Sequence, residues 1–227
     1  MTDIIERTPV HSNDIMTTLQ AQYSPQEELA NAISHGIGAL ASVAALTLLV
    51  TFAVLENNYF RVVSFAIYGV SLVLMFLSST LYHAIYHIKT KRIFKTLDHC
   101  AIYILIAGTY TPLLLLTLQG NFGYLMCAVI WGIALAGVIF KIKFGNKYKI
   151  ISVASYLGMG LLSLLMINAL LAKLAVNGVI LLAVGGAIYC SGVFFYLQKR
   201  IPFNHAIWHL FVLGGASCHF FLMWFYV

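Results

Sequence analysis

Long apolar stretches separated by short polar connections dominate the chain. A polar segment at residues 1–29 is followed by seven apolar stretches, at roughly 30–55, 61–88, 97–118, 123–141, 149–171, 175–197 and 204–226. Each is long enough to cross a bilayer core of about 30 Å as an α-helix that rises about 1.5 Å per residue. The stretches are apolar at both odd and even positions, unlike the strands of a membrane β-barrel. The pattern predicts an all-α integral membrane protein, a seven-transmembrane helix bundle forming one domain at residues 30–227.

The amino-acid composition agrees with a membrane protein. Of the 227 residues, 61% are apolar and 9% are charged, and the mean hydropathy is +0.91. Soluble domains carry about 25% charged residues. The composition therefore argues against a water-soluble enzyme and a disordered chain. The formal net charge of +6 does not indicate a nucleic-acid partner, because the positive charges follow the connections between the stretches.

The distribution of positive charge predicts the orientation of the bundle. The second, fourth and sixth connections, with their flanks, carry ten positive residues: Lys89, Lys91, Arg92, Lys95, Lys141, Lys143, Lys147, Lys149, Lys199 and Arg200. The odd-numbered connections carry two, Arg61 and Lys173. Lys and Arg concentrate in cytoplasmic loops. We therefore expect a cytoplasmic N-terminus and an outward-facing C-terminus.

Five ionisable residues fall at one predicted depth of the membrane. His35 begins the first stretch, His83 ends the second, Asp98 begins the third, and His205 and His209 begin the seventh. Under the predicted orientation, all five lie near the cytoplasmic ends of their helices. Ionisable groups inside a membrane are costly and usually functional. The coincidence predicts a polar site at the cytoplasmic side of the bundle.

Histidine spacing suggests a metal ion as the ligand of this site. His205 and His209 are four residues apart, so both rings lie on one face of a helix. His83 can supply a third imidazole, and three histidines with water form a catalytic zinc arrangement. Imidazole also suits copper, nickel and iron. A pair with this spacing can simply form hydrogen bonds, and His87, four residues after His83, is interpreted as interfacial.

Asp98 and Ser79 each allow two interpretations. Asp98 either faces the bundle and accepts a proton from a metal-associated water, or lies at the interface and pairs with Lys95. Ser79 lies one helical turn before His83, where its hydroxyl either orients a ligand or bonds back to a carbonyl of its own helix.

These residues also carry a resemblance to a known family. Ser79-Xaa3-His83, Asp98 and His205-Xaa3-His209, in this order on the second, third and seventh stretches, resemble the progestin and adipoQ receptor family, most closely its bacterial hemolysin III branch. Glu28-Xaa2-Asn31-Xaa3-His35 is similar to that family's N-terminal motif. The resemblance extends from about residue 27 to the end of the chain.

The resemblance implies a multi-pass protein of the bacterial inner membrane with zinc on His83, His205 and His209, Asp98 and Ser79 beside it, and His35 close to the site but not a ligand. Relatives in the alkaline ceramidase superfamily imply hydrolysis of a lipid amide, from a sphingolipid or another acyl amide. Two alternatives stay open. One is a lipid-sensing, receptor-like protein whose zinc pins helices two and seven together. The other is a haemolytic pore-former, which the absence of a long amphipathic segment disfavours.

Overall fold

Seven long helices make up the part of the chain that the structure describes, residues 23–145 and 147–227 of a computed structural model. Within these residues all regular elements are helical, and seven helices are long and apolar enough to cross a membrane. They are α1 (Pro25–Leu55), α2 (Tyr59–Ala84), α3 (Ile88–Leu118), α4 (Gly120–Phe144), α5 (Lys149–Lys173), α6 (Val176–Leu197) and α7 (Asn204–Tyr226). The predicted seven-helix membrane fold is confirmed.

The first helix begins before the apolar stretch that predicted it. Ser24 caps the helix by accepting a hydrogen bond from the Glu27 backbone N–H, while the Glu27 carboxylate accepts one from the Ser24 N–H. Pro25 occupies the first turn, where its missing N–H costs nothing. This capping box places residues 25–29 in α1, although the apolar pattern assigned them to a polar segment.

The connection between α2 and α3 is shorter than predicted. Helix α2 ends at Ala84, and α3 begins at Ile88 behind His87, whose Nδ1 lies 2.8 Å from the Thr90 hydroxyl. The predicted boundaries at 88 and 97 were wrong, because the lysine-rich residues 89–95 form the first turns of α3. Long basic side chains can extend from a helix end toward the membrane surface while their stems cover apolar neighbours.

The packed helices form two buried cores and an apolar outer surface. One core lies among α1, α2, α3 and α7, and the other joins α3 with α4 and α5. Many large apolar side chains point outward, including Leu40, Leu135 and Leu165, each more than half exposed. Such a surface suits contact with acyl chains. The basic end of the bundle is defined here by the α2–α3, α4–α5 and α6–α7 connections with their flanking lysines.

A candidate metal centre at the basic end

Three buried histidines from two helices converge at the basic end. One ring nitrogen from each of His83, His205 and His209 lies within 4.8 Å of the other two. The ring centroids of His83 are 5.1 Å from His205 and 5.2 Å from His209. A single ion between the three rings can contact all of them, so this group can hold a metal.

Glu28 fixes the orientation of the His83 ring. The His83 Nδ1 lies 2.6 Å from Oε2 of Glu28, whose Oε1 accepts a hydrogen bond from Lys91 Nζ at 3.1 Å. A carboxylate can only accept, so Nδ1 carries the proton and donates it. The opposite nitrogen, Nε2, is buried without a hydrogen-bond partner among the described residues. This tautomer leaves the Nε2 lone pair directed to a ligand, as in carboxylate–histidine–zinc arrangements.

The backbone of α1 performs the same task for His209. Its Nδ1 lies 3.1 Å from the Asn31 carbonyl oxygen and 3.1 Å from the Ser34 hydroxyl. The Ser34 hydroxyl itself donates to the Asn31 carbonyl at 3.0 Å. The His209 Nδ1–H therefore donates to these two oxygens, and Nε2 remains the acceptor. Two of the three rings are thus held in the tautomer that keeps the Nε2 lone pair for a metal ion.

His205 and His35 have no such support. Both ring nitrogens of each residue are buried without hydrogen-bond partners in the described ranges. The His35 ring stacks on His209, with centroids 3.5 Å apart and planes 11° apart. It lies outside the group of three, which agrees with a position beside the site. Unpartnered buried polar atoms are costly, and a metal on His205 satisfies one of them.

Asp98 lies about three turns inside α3 and is 7% exposed. It lines the same cavity as His205 and His209. The hydroxyl of Ser79 lies beside this carboxylate, although it makes no hydrogen bond of standard geometry to any described residue. Neighbouring Ser78 bonds back to the carbonyl of Met75. The Ser79 hydroxyl, unlike that of Ser78, makes no such bond to its own helix and can therefore bind a ligand.

A cavity of about 420 Å³ begins at these polar groups and runs between α3, α5, α6 and α7. Along α3 it extends from Asp98 to Leu113, about 22 Å at the helical rise. Most lining side chains are apolar, and His219 lies toward the far end. Two lining residues, Leu164 on α5 and Cys190 on α6, are also exposed. The cavity therefore reaches the lipid-facing surface between these two helices.

Tyr23 covers the histidines from the outside of the bundle. Its ring stacks on His205, with centroids 4.9 Å apart, and meets His83 edge-on at 6.1 Å. Lys199, in the α6–α7 connection, donates a hydrogen bond to the Tyr23 hydroxyl at 3.1 Å. Burial raises the pKa of Tyr23 above its usual range, so the ring stays neutral. An aromatic cover limits water at the basic end of the site.

Sequence reasoning missed the supporting roles of Tyr23, Glu28, Asn31 and Ser34. A usable signal was present, because Glu28, Asn31 and His35 follow an i, i+3, i+7 spacing that places them on one helix face. The assignment of residues 1–29 to a polar segment separated Glu28 from the helix. His99, which the sequence analysis left out of the site, lines the same cavity as Asp98 and His205, and its Nδ1–H donates to the Lys95 carbonyl.

The chain is similar in sequence to a family of known proteins. Residues 23–220 match the family described as "Haemolysin-III related". The chain is 48% identical over 204 residues to "Hemolysin-3 homolog" of Bacillus subtilis, covering 90% of this chain and 96% of that protein. It is 49% identical over 202 residues to "Hemolysin-3" of Bacillus cereus, covering 89% and 92%.

A human protein shows that the likeness extends beyond bacteria. The chain is 33% identical over 214 residues to human "Monocyte to macrophage differentiation factor", covering 91% of this chain and 87% of that protein. These matches and the seven helices confirm a multi-pass membrane protein and the family that the motifs indicated. The chain belongs to the haemolysin-III-related family, a branch of the progestin and adipoQ receptor family.

Proposed function

We propose that this protein is a membrane-embedded, zinc-dependent hydrolase of lipid amide bonds. The observation that carries the proposal is the convergence of three buried histidine ligand atoms. Two of these residues, His205 and His209, line a mainly apolar cavity together with Asp98. Structural zinc sites are normally closed by four protein ligands, whereas catalytic sites keep one position for water or substrate. Three histidines beside a carboxylate fit the second class.

The donor set of this chain suits zinc. His83 and His209 present Nε2 lone pairs because Glu28 and the Asn31 carbonyl accept their Nδ1 protons. His205 offers either ring nitrogen. Bound zinc supplies Lewis acidity, which polarises a carbonyl and makes water nucleophilic near neutral pH.

Asp98 is assigned the proton transfers. Its carboxylate accepts a proton from water as the water oxygen bonds to the amide carbon. It then donates that proton to the nitrogen as the carbon–nitrogen bond breaks, so that water and amide give a carboxylic acid and an amine. Ser79, beside Asp98, orients the carboxylate or the water by a hydrogen bond.

The cavity favours a substrate with a long acyl chain. Its lining is mainly apolar and opens toward lipid between α5 and α6. Each buried CH₂ contributes about 0.8 kcal/mol of binding free energy. A chain entering there places its amide at the polar end, near Asp98 and His205. Ceramides and other acyl amides of the membrane have this shape.

The test combines metal content with lipid hydrolysis. Purified wild-type protein should contain about one zinc per chain by plasma mass spectrometry and release fatty acid from a fluorescent ceramide in proteoliposomes. Asp98→Asn should keep the zinc and lose at least 100-fold in rate. His209→Ala should lose both, while His87→Ala, at the exposed connection, should change neither. Wild-type protein with far less than stoichiometric zinc would overturn the proposal.

A lipid-sensing role without turnover is the second candidate. Helix α7 packs mainly on α6 and less on α1, so a metal shared by His83 on α2 and the α7 histidines adds a cross-link between separated helices. Under this alternative, zinc is stoichiometric but neither wild-type protein nor Asp98→Asn hydrolyses any of a panel of acyl amides. Zinc removal instead changes the distance between α2 and α7, measured with paired spin labels.

A further inference from the structure

A second, smaller pocket lies at the basic end, between α3 and α4. Its volume is about 200 Å³, and its lining residues are Arg92, Lys95, Thr96, His99, Lys141 and Gly145. Among them are three cationic side chains from two helices. His99 lines both this pocket and the large cavity, so the two spaces adjoin at this residue.

The burial of Lys141 distinguishes this pocket from an ordinary basic surface. Lys141 is 2% exposed, and its Nζ donates to the Gly145 carbonyl at 3.3 Å. Lys143, two residues later on the same helix, is exposed. Topology requires only that positive residues lie near the membrane surface. It gives no reason to bury one of them against other cations.

The charges around the pocket favour an anion. Lys95 and Lys141 lie close enough to repel each other, and both interact with Asp98. Glu28 and Asp98 both attract Lys95, and Asp98 also attracts Lys141. Arg92 adds a third positive side chain to the lining of the pocket. A phosphate group between these side chains reduces their mutual repulsion and accepts charge-assisted hydrogen bonds.

The surroundings indicate that the phosphate belongs to a lipid. Ile93 and Leu97 on α3 and Ile142 on α4 are exposed apolar neighbours of the pocket residues along the chain. Both helices that form the pocket thus present exposed apolar side chains within one residue of its lining. Basic pockets between membrane helices on the cytoplasmic side bind anionic head groups. A phospholipid can place its phosphate in the pocket and its acyl chains along these side chains.

We propose that the pocket between α3 and α4 binds the phosphate of an anionic phospholipid, at a site separate from the histidine centre. An anionic glycerol head group adds no positive charge, whereas the choline of a zwitterionic lipid brings a cation toward Arg92, Lys95 and Lys141. The site should therefore prefer phosphatidylglycerol to phosphatidylcholine. The proposal does not depend on zinc or on hydrolysis.

Native mass spectrometry of the full chain in detergent tests this preference. Phosphatidylglycerol and phosphatidylcholine with identical acyl chains are titrated separately, and binding of the first lipid is measured. We expect wild-type protein to bind phosphatidylglycerol at least tenfold more tightly. Arg92→Gln and Lys141→Gln should each weaken it about fivefold, the effect of one charge near a membrane surface. Lys141→Arg should keep the affinity.

The matched control is Lys143→Gln, which removes the same charge from an exposed position on the same helix. It should change the affinity less than twofold. Equal losses for Arg92→Gln, Lys141→Gln and Lys143→Gln would overturn the proposal in favour of diffuse attraction. Since Arg92 is exposed, its variant remains informative even if Lys141→Gln does not fold.

Inorganic phosphate distinguishes the two sources of the anion. In delipidated protein, phosphate at millimolar concentration should raise the thermal midpoint less than micromolar phosphatidylglycerol does, and sulfate should behave like phosphate. Stabilisation by phosphate with no preference between the two lipids would assign the pocket to a soluble anion and overturn the lipid assignment. A tenfold lipid preference that Arg92→Gln lowers about fivefold would support it.

Discussion

Zinc affinity should depend on Glu28, although Glu28 is not a candidate ligand. Its Oε2 lies 2.6 Å from the Nδ1 of His83, and its side chain is 13% exposed. Glu28→Gln replaces a charge-assisted hydrogen bond with a neutral one at nearly unchanged volume. Bonds to charged groups contribute about 1.5–3 kcal/mol and neutral ones about 0.5–1.5 kcal/mol. Limited exposure means that solvent screens this difference only weakly.

The difference of about 1–1.5 kcal/mol corresponds to roughly a five- to tenfold weaker zinc affinity. Glu28→Ala leaves the His83 Nδ1–H without the carboxylate, and loss of such a partner costs about 10- to 100-fold. Competition with a chromophoric chelator measures both dissociation constants in the same detergent. The order wild type, Glu28→Gln, Glu28→Ala is the expected ranking.

Glu27→Gln provides the control, because Glu27 is the adjacent carboxylate in the same helical turn. It caps α1 at Ser24 and accepts a hydrogen bond from the Phe203 N–H at 3.1 Å, with no described contact to His83. This variant should lower the thermal midpoint of the protein while changing zinc affinity less than twofold. If Glu28→Gln binds zinc as tightly as wild type, Glu28 does not orient a ligand and the reasoning fails.

Three further perturbations test the site and its helices. Chelation of zinc should lower the thermal midpoint, because free zinc at 100 times its dissociation constant stabilises the folded state by about 2.7 kcal/mol; scanning fluorimetry with and without added zinc measures the shift. Tyr23→Ala should speed zinc loss to a chelator several-fold while Tyr23→Phe should not, because Phe keeps the ring that stacks on His205. Gly123→Ala should destabilise by about 1–3 kcal/mol, since its Cβ would lie 2.3 Å from the Leu114 carbonyl oxygen. Gly132→Ala on the same helix, with no atom within 4 Å of its Cβ, should be neutral in denaturant unfolding.

The sequence predicted the fold and the three histidines for different physical reasons. The hydrocarbon thickness requires long apolar helices, so seven of them are visible in the pattern alone. The histidines stand out because ionisable groups inside a membrane are costly and because His205 and His209 share a helix face. Whether the His83 ring meets the rings of His205 and His209 depends on how α2 packs in the bundle. The structure shows that the three rings lie together.

The supporting contacts could not be predicted, because they join distant segments. Glu28 and His83 are separated by 55 residues and Asn31 and His209 by 178. The sequence around these residues does not indicate which rotation of α1 about its axis turns Glu28 and Asn31 toward the histidine rings. The cavity escaped prediction for a related reason: α6 is apolar on all sides, so its pattern does not identify the face that lines a space rather than lipid.

Helix α1 provides none of the three histidines, but it fixes the orientation of two of their rings. Its Glu28 carboxylate holds His83 on α2, and its Asn31 carbonyl holds His209 on α7. The latter is a backbone contact, so it depends on the position of the helix and not on the identity of a side chain. Metal affinity is therefore expected to respond to how α1 is seated in the bundle. A substitution that shifts α1 should weaken zinc binding even where it touches no histidine, and a change confined to the outer face of α1, such as Leu40→Ala, should not.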